Sequence, residues 1–223
     1  MSLRIFFRLV MLALFWGPGF LLVEVAVQDI PPITLMAERV GVATGLLYLI
    51  LRIQGGTLPR FGPIWRHFAL MGLFASALPF GLVSWGQQYI DSALAAMLVG
   101  IVPLFTAILA HLSTTDDRLT PVKTAGILLG FSGMAVLLAP TLLSGMQATT
   151  WGLMATVVAA ASQSIGLVYG RKYLVGLPPL VGPTAQLTMA TLYLLPLSLI
   201  VERPYTIATP SAMALGQSWP WQL

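Results

Sequence analysis

Charge is scarce in this sequence and cysteine is absent. Only 8% of the 223 residues are charged, whereas soluble domains carry about 25%. Hydrophobic residues make up 57% of the chain, so we exclude a soluble fold and expect the protein to lie in a lipid bilayer. The lack of cysteine excludes disulfides and thiolate metal sites, and we expect neither a metal nor a cofactor. All but one of the 11 lysine and arginine residues are dispersed among short loops, so we expect no nucleic-acid partner.

Long apolar runs are what the sequence has in place of charge. A membrane-spanning helix needs about 20 mostly apolar residues. The runs are continuous and do not alternate with a period of two, which favours α-helices over a β-barrel. The sequence therefore predicts an all-α polytopic membrane protein. Its predicted spans are residues 9–27, 31–51, 68–88, 92–113, 122–140, 151–170 and 178–201.

Nine of the 11 lysine and arginine residues lie in the loops on one side of these spans, Arg203 lies on the other side, and Arg39 lies within a span. The nine are Arg4, Arg8, Arg52, Arg60, Arg66, Arg118, Lys123, Arg171 and Lys172. Short loops rich in lysine and arginine stay in the cytoplasm. We therefore expect a multi-pass protein of the inner (plasma) membrane with a cytoplasmic N-terminus.

An internal repeat relates the first two spans to the sixth and seventh. A shift of 147 residues, which separates Pro31 from Pro178, also places Pro32 on Pro179 without a gap. Five spans precede the second copy, and this odd number of crossings inverts its direction through the membrane. Inverted-topology repeats are typical of secondary transporters, which bind their solute near the bilayer midplane between the repeats.

The repeat also predicts how the chain divides. Residues 1–146 would form a first five-helix repeat and residues 147–223 an incomplete second repeat. About seven transmembrane helices are then present of an expected ten, and we interpret the chain as a truncated form of a ten-helix protein. A homo-oligomer and a separate source of the missing helices both stay open.

Three charged residues lie inside the first pair of spans. Arg39 is about 12 Å deep at a rise of about 1.5 Å per residue, where a charge costs about 2.5–3.5 kcal/mol. Glu24 is within reach of Arg39, which predicts either a fixed ion pair or a gate at which Arg39 attracts an anion. Glu38 points to another side of the helix, and we interpret it as a buried proton carrier or a hydrogen-bonded packing residue. Glu24 and Glu38 are therefore the candidate coupling or gating residues.

Aromatic and amide side chains indicate a cavity for a solute. Trp16 and Phe20 share one stripe of the first span, which is typical of either packing or recognition. Ser162 and Gln163 bring polar groups close to the midplane of the sixth span. The predicted cavity residues are Trp16, Phe20, Arg39, Gln87, Pro103, Ser162, Gln163 and Gln186.

One motif of an enzyme is present. Residues 130–133 fit the G-x-S-G pattern of intramembrane serine proteases, which need a histidine as general base. His67 and His111 each lie at the cytoplasmic end of a span, too far from Ser132 to act as its base. We therefore expect no enzymatic activity.

Several segments are similar to one transporter family. Residues 16–20 (WGPGF) resemble the W-G-x-x-F motif on the first helix of EamA-type members of the drug/metabolite transporter superfamily. Residues 88–98 and 103–107 resemble the segment that joins that family's third and fourth helices, and Arg39 matches its second-helix arginine.

This resemblance implies ten helices in two inverted five-helix repeats that work by alternating access. It also implies transport, with export the favoured direction, of small organic metabolites or drugs, often in exchange for protons. An inactive truncated transporter fragment and a structural membrane subunit are the alternatives.

Overall fold

The chain folds as a bundle of long helices. The computed structural model describes residues 3–113, 119–143 and 147–204, and those residues contain no β-strand. Seven helices in these ranges are long and apolar enough to cross a bilayer, which confirms the predicted all-α polytopic fold. Their bounds are α1 Leu3–Ala26, α2 Pro32–Ile53, α3 Ile64–Gly86, α4 Ser92–Ser113, α5 Pro121–Leu143, α6 Gln147–Tyr173 and α7 Val181–Glu202.

The helix ends differ from the predicted span edges for two physical reasons. Helical hydrogen bonding continues through polar residues outside the apolar span, so α1 begins at Leu3 and not at residue 9. The seventh helix begins later than predicted, at Val181, because Pro178 and Pro179 form the turn before it. The Val181 N–H donates to the Pro178 carbonyl at 3.0 Å and closes that turn.

Prolines accompany breaks in the regular hydrogen bonding of α3 and α4. A π turn at Leu73–Ala77 lies just before Pro79, which has no N–H to give to the carbonyl four residues earlier. In α4, Gly100 and Ile101 separate two α-helical segments before Pro103. Freed backbone groups of this kind are tolerated in a membrane where neighbouring side chains satisfy them.

The central helix of the bundle is α6. In its apolar segment 56% of residues are buried, against 6% in α1 and in α5. The helix packs along α3 through two small residues, Gly86 and Gly152. A Cβ atom added to Gly86 would lie 3.0 Å from the Gly152 carbonyl oxygen, so the backbones approach closely only because both positions are glycine.

The two helices that the repeat equates, α2 and α7, pack antiparallel against each other. At one end, predicted to face outward and called the outer end below, the hydroxyl oxygens of Thr34 and Ser198 lie 2.7 Å apart. At the opposite end, Leu51 and Val181 belong to one buried apolar cluster. The interface is therefore polar at the outer end and apolar at the other.

Candidate functional site

A cavity opens between α1, α2 and α3, with one residue each from α4 and α6; we call it the central cavity. Its wall is mostly apolar, which suits the body of an organic molecule. The lining residues are Trp16, Gly19, Phe20, Val23, Met36, Arg39, Pro79, Phe80, Val83, Ser84, Gln87, Val99 and Gln163.

Five of the eight predicted cavity residues lie on this wall: Trp16, Phe20, Arg39, Gln87 and Gln163. They come from α1, α2, α3 and α6, so helices that are distant in sequence bring them together. Their contact with a solute stays a prediction.

The other three predicted residues lie elsewhere. Pro103 is exposed on α4. Ser162 is buried, and its hydroxyl donates to the Phe74 carbonyl oxygen at 2.9 Å. The Gln186 amide donates to the Ser76 hydroxyl at 2.7 Å.

Ser162 and Gln186 thus contact the π turn of α3 and do not line the central cavity, so their role in a solute site stays a prediction. Phe74 and Ser76 both belong to that turn, where the regular hydrogen-bond pattern is lost. The two polar side chains satisfy groups of the π turn, which is worth more in a buried position than exposure to the cavity.

Arg39 reaches across from α2 to α1. A Cβ atom added to Gly19 would lie 3.2 Å from Nη2 of Arg39, so the absence of a side chain at Gly19 leaves room for the guanidinium. The Arg39 side chain is exposed, and it lines the central cavity.

Glu24 does not pair with Arg39 in the part of the chain that the structure describes. Its Oε2 instead accepts a hydrogen bond from the backbone N–H of Ser92 at 3.1 Å. Ser92 is the first residue of α4, and the N–H groups there lack helical partners and attract negative charge. Glu24 thus links the outer ends of α1 and α4.

Glu38 was expected to be buried, and this expectation is wrong. The residue is exposed on α2 and is not part of the cavity wall. A coupling role for Glu38 stays a prediction.

The structure adds Glu202, which sequence reasoning missed. Its carboxylate accepts hydrogen bonds from the backbone N–H of Ile33 at 2.9 Å and of Thr34 at 2.6 Å. The Thr34 hydroxyl donates to it as well, at 2.6 Å. Glu202 therefore caps the start of α2 from the end of α7. Its only signal in the sequence is weak, an acidic residue just past the predicted span 178–201.

Gln87 lies between the central cavity and a second pocket. This outer pocket is lined by Glu24, Val27, Gln28, Gln87, Gln88, Tyr89 and Ile90. Gln87 is 4% exposed, and its Nε2 donates to the Phe20 carbonyl oxygen at 2.9 Å. Its Oε1 is buried without a hydrogen-bond partner among the described residues. The side chain is thus a partition held in place by α1.

The sequence was compared with known proteins. The model of the EamA-like transporter family matches residues 4–139, from α1 into α5. This chain belongs to the EamA-like transporter family. The family is one of membrane transporters and not of enzymes, and this member has seven helices long and apolar enough to cross a bilayer among its described residues.

Individual relatives agree with this assignment. The chain is 26% identical over 219 residues to the uncharacterized transporter YoaV of Bacillus subtilis, covering 98% of this chain and 71% of YoaV. It is 30% identical over 171 residues to the uncharacterized inner membrane transporter YedA of Escherichia coli K12, covering 76% and 54%. An uncharacterized transporter of Archaeoglobus fulgidus is 27% identical over 72% of this chain and 55% of its own length. The chain thus spans about half of two of these relatives. No solved structure gives a significant match.

Proposed function

We propose that this EamA-family protein exports a small organic metabolite or drug across the plasma membrane by alternating access between two inverted repeats, residues 1–146 and 147–223. Support comes above all from Trp16 and Gln163, which the repeat shift equates because 163 − 16 = 147. Both side chains line the central cavity. A cavity lined by equivalent residues of both repeats lies where inverted-repeat transporters bind their solute.

The outer end supplies a route with a closing element. Gln87 separates the central cavity from the outer pocket, so its displacement from the Phe20 carbonyl would join the two. Glu24 borders the same outer pocket while it caps α4. We assign Gln87 the role of a gate and Glu24 that of a residue that holds α1 against α4 while the gate is closed.

Transport is tested with the full chain reconstituted into liposomes. A panel of labelled organic solutes is screened for binding by thermal shift, and each hit is then followed for uptake against protein-free liposomes. We expect Trp16→Ala to reduce binding and uptake at least tenfold, because Trp16 is part of the cavity wall. Phe15→Ala is the matched control, since Phe15 is 82% exposed next to Trp16 and does not line the cavity.

The outcome separates the proposal from its alternatives. Uptake that Trp16→Ala abolishes and Phe15→Ala leaves intact supports transport through the central cavity. If the reconstituted chain binds a solute but does not take it up, the chain is instead an inactive transporter fragment or a structural membrane subunit.

Proton coupling is tested in the same liposomes with a pH gradient. If a proton is the coupling ion, Glu24→Gln or Glu38→Gln removes the response of uptake to the gradient while solute binding persists. Glu38→Asp keeps the carboxylate and should retain the response. An unchanged response in both glutamine variants would exclude these residues as the proton site.

A further inference from the structure

We propose that the solute of the central cavity is an amphipathic organic anion, with its negative group on Arg39 and an apolar or aromatic body against α1 and α3. The inference rests on the proposed function, because it names the chemical class that the same cavity would carry. It follows from the charge of the cavity lining, from its apolar and aromatic residues, and from the position of Arg39 beside α1.

The charge comes from one side chain. Among the described residues that line the central cavity, Arg39 is the single charged one, so this wall has a net charge of one positive unit. An arginine is always protonated in a protein and has five N–H donors arranged in a plane that fits a carboxylate. The Coulomb interaction with such a group favours an anion and disfavours a cation.

Two carboxylates on the helices around this site bind backbone N–H groups away from Arg39, and a third, Glu38, does not line the cavity. Glu24 accepts from Ser92 at the start of α4, and Glu202 accepts from Ile33 and Thr34 at the start of α2. Glu38 lies on α2, next to Arg39 in the sequence, but it does not line the cavity. None of these glutamates forms an ion pair with Arg39 in the described residues, so its charge is available to a solute.

The wall beside Arg39 is suited to a flat apolar group. Trp16, Phe20 and Phe80 line it together with Met36 and Val83. Aromatic faces can also attract a cation, but the nearby guanidinium opposes that in this cavity. The combination therefore favours an aromatic or aliphatic anion over an organic cation of equal size.

Gly19 fixes where the anion would bind. Because Gly19 has no side chain, the guanidinium lies against α1, within the same cavity wall as Trp16 and Phe20. The positive group and the aromatic surface are thus neighbours, and one small molecule can contact both.

The test compares three solutes that differ only in charge. 3-Phenylpropionate, 3-phenylpropanol and 3-phenylpropylammonium are titrated into the purified full chain in phosphatidylcholine nanodiscs at pH 7, with binding followed by calorimetry. We expect the anion to bind at least tenfold more tightly than the alcohol and the ammonium compound. An ammonium compound that binds as tightly as the anion would overturn the proposal, and so would no binding of any of the three.

Variants identify the residue responsible. Arg39→Gln should weaken binding of the anion at least tenfold and leave the alcohol unchanged, whereas Arg39→Lys should retain part of the preference. Arg52→Gln is the matched control, because Arg52 is exposed at the other end of α2 and should not affect binding. If Arg39→Gln fails to fold, the comparison of the three solutes on the unaltered chain still decides the matter.

Lipid is the other source of an anion. The titration is repeated with phosphatidylglycerol in the nanodisc. Loss of phenylpropionate binding in those discs, together with lipid retention that Arg39→Gln removes, would assign Arg39 to a lipid phosphate and overturn the proposal. Unchanged phenylpropionate affinity supports the solute site.

Different results would refute the proposed transport and the proposed preference for an anion. Uptake of all three solutes at equal rates would refute the anion preference and leave the transport function intact. Preferential binding of the anion through Arg39 without any uptake would support the anion site and refute transport by this chain.

Discussion

Thr44 of α2 and Thr191 of α7 meet with their hydroxyl oxygens 3.0 Å apart, and they are the same position of the repeat, 147 residues apart. Each hydroxyl also lies within hydrogen-bonding distance of the carbonyl four residues earlier, Val40 at 2.8 Å and Leu187 at 2.9 Å. Two equivalent residues can touch each other only near a two-fold axis. A two-fold axis between the two predicted repeats would bring equivalent residues together in this way, and we propose that such an axis passes close to the two threonines.

The contact predicts a measurable coupling between the two threonines. Thr44→Val and Thr191→Val remove one hydroxyl each, and in a double-mutant cycle we expect a coupling of about 0.6 kcal/mol, the average for such bonds between membrane helices. Unfolding in sodium dodecyl sulfate measures the free energy of unfolding of each variant. Thr106→Val is the control, since the Thr106 hydroxyl bonds only to the Val102 carbonyl within α4. Strictly additive effects of the two substitutions would argue against the contact.

Glu202 predicts how firmly the outer end of α2 is held. Replacing it with alanine leaves the N–H groups of Ile33 and Thr34 without their acceptor, and a lost charged hydrogen bond costs about 1.5–3 kcal/mol. Hydrogen–deuterium exchange at the start of α2 should become faster as a result. Glu38→Ala is the matched control, because Glu38 is an exposed carboxylate on the same helix. Equal exchange in both variants would mean that the cap does not stabilise α2.

The partition formed by Gln87 can be tested by chemical labelling, because the chain has no cysteine of its own. Val23→Cys places a thiol on the wall of the central cavity. Adding Gln87→Ala removes the partition, and we expect labelling by a membrane-impermeant maleimide from the outer side to become at least fivefold faster. Gln88→Ala, which alters the outer pocket alone, should leave the rate unchanged. A rate that Gln87→Ala does not raise would refute the gate.

Membrane orientation is tested with the same chemistry. The distribution of basic residues predicts that the loop with Phe61 lies in the cytoplasm and that the turn with Gln28 lies outside. Both side chains are exposed. In intact cells the impermeant reagent should label Gln28→Cys, and it should label Phe61→Cys only after the membrane is permeabilised. The reverse pattern would invert the predicted topology.

The sequence by itself determined the number and approximate bounds of the helices, because the length of an apolar run is a local property that the bilayer thickness selects. Pro31 and Pro178 also predicted the internal repeat, because each begins a pair of prolines and the two pairs lie 147 residues apart. Trp16, Phe20, Arg39, Gln87 and Gln163 were predicted to line a cavity, and they lie on one wall.

Only the tertiary structure decided which partner each polar side chain has. Ser162 and Gln163 are adjacent in sequence, yet Ser162 satisfies the π turn of α3 while Gln163 faces the central cavity. Glu24 likewise binds the first N–H of α4 and not Arg39. A buried polar group goes to the unsatisfied backbone group nearest to it, and helix packing, not spacing along the chain, determines which group that is.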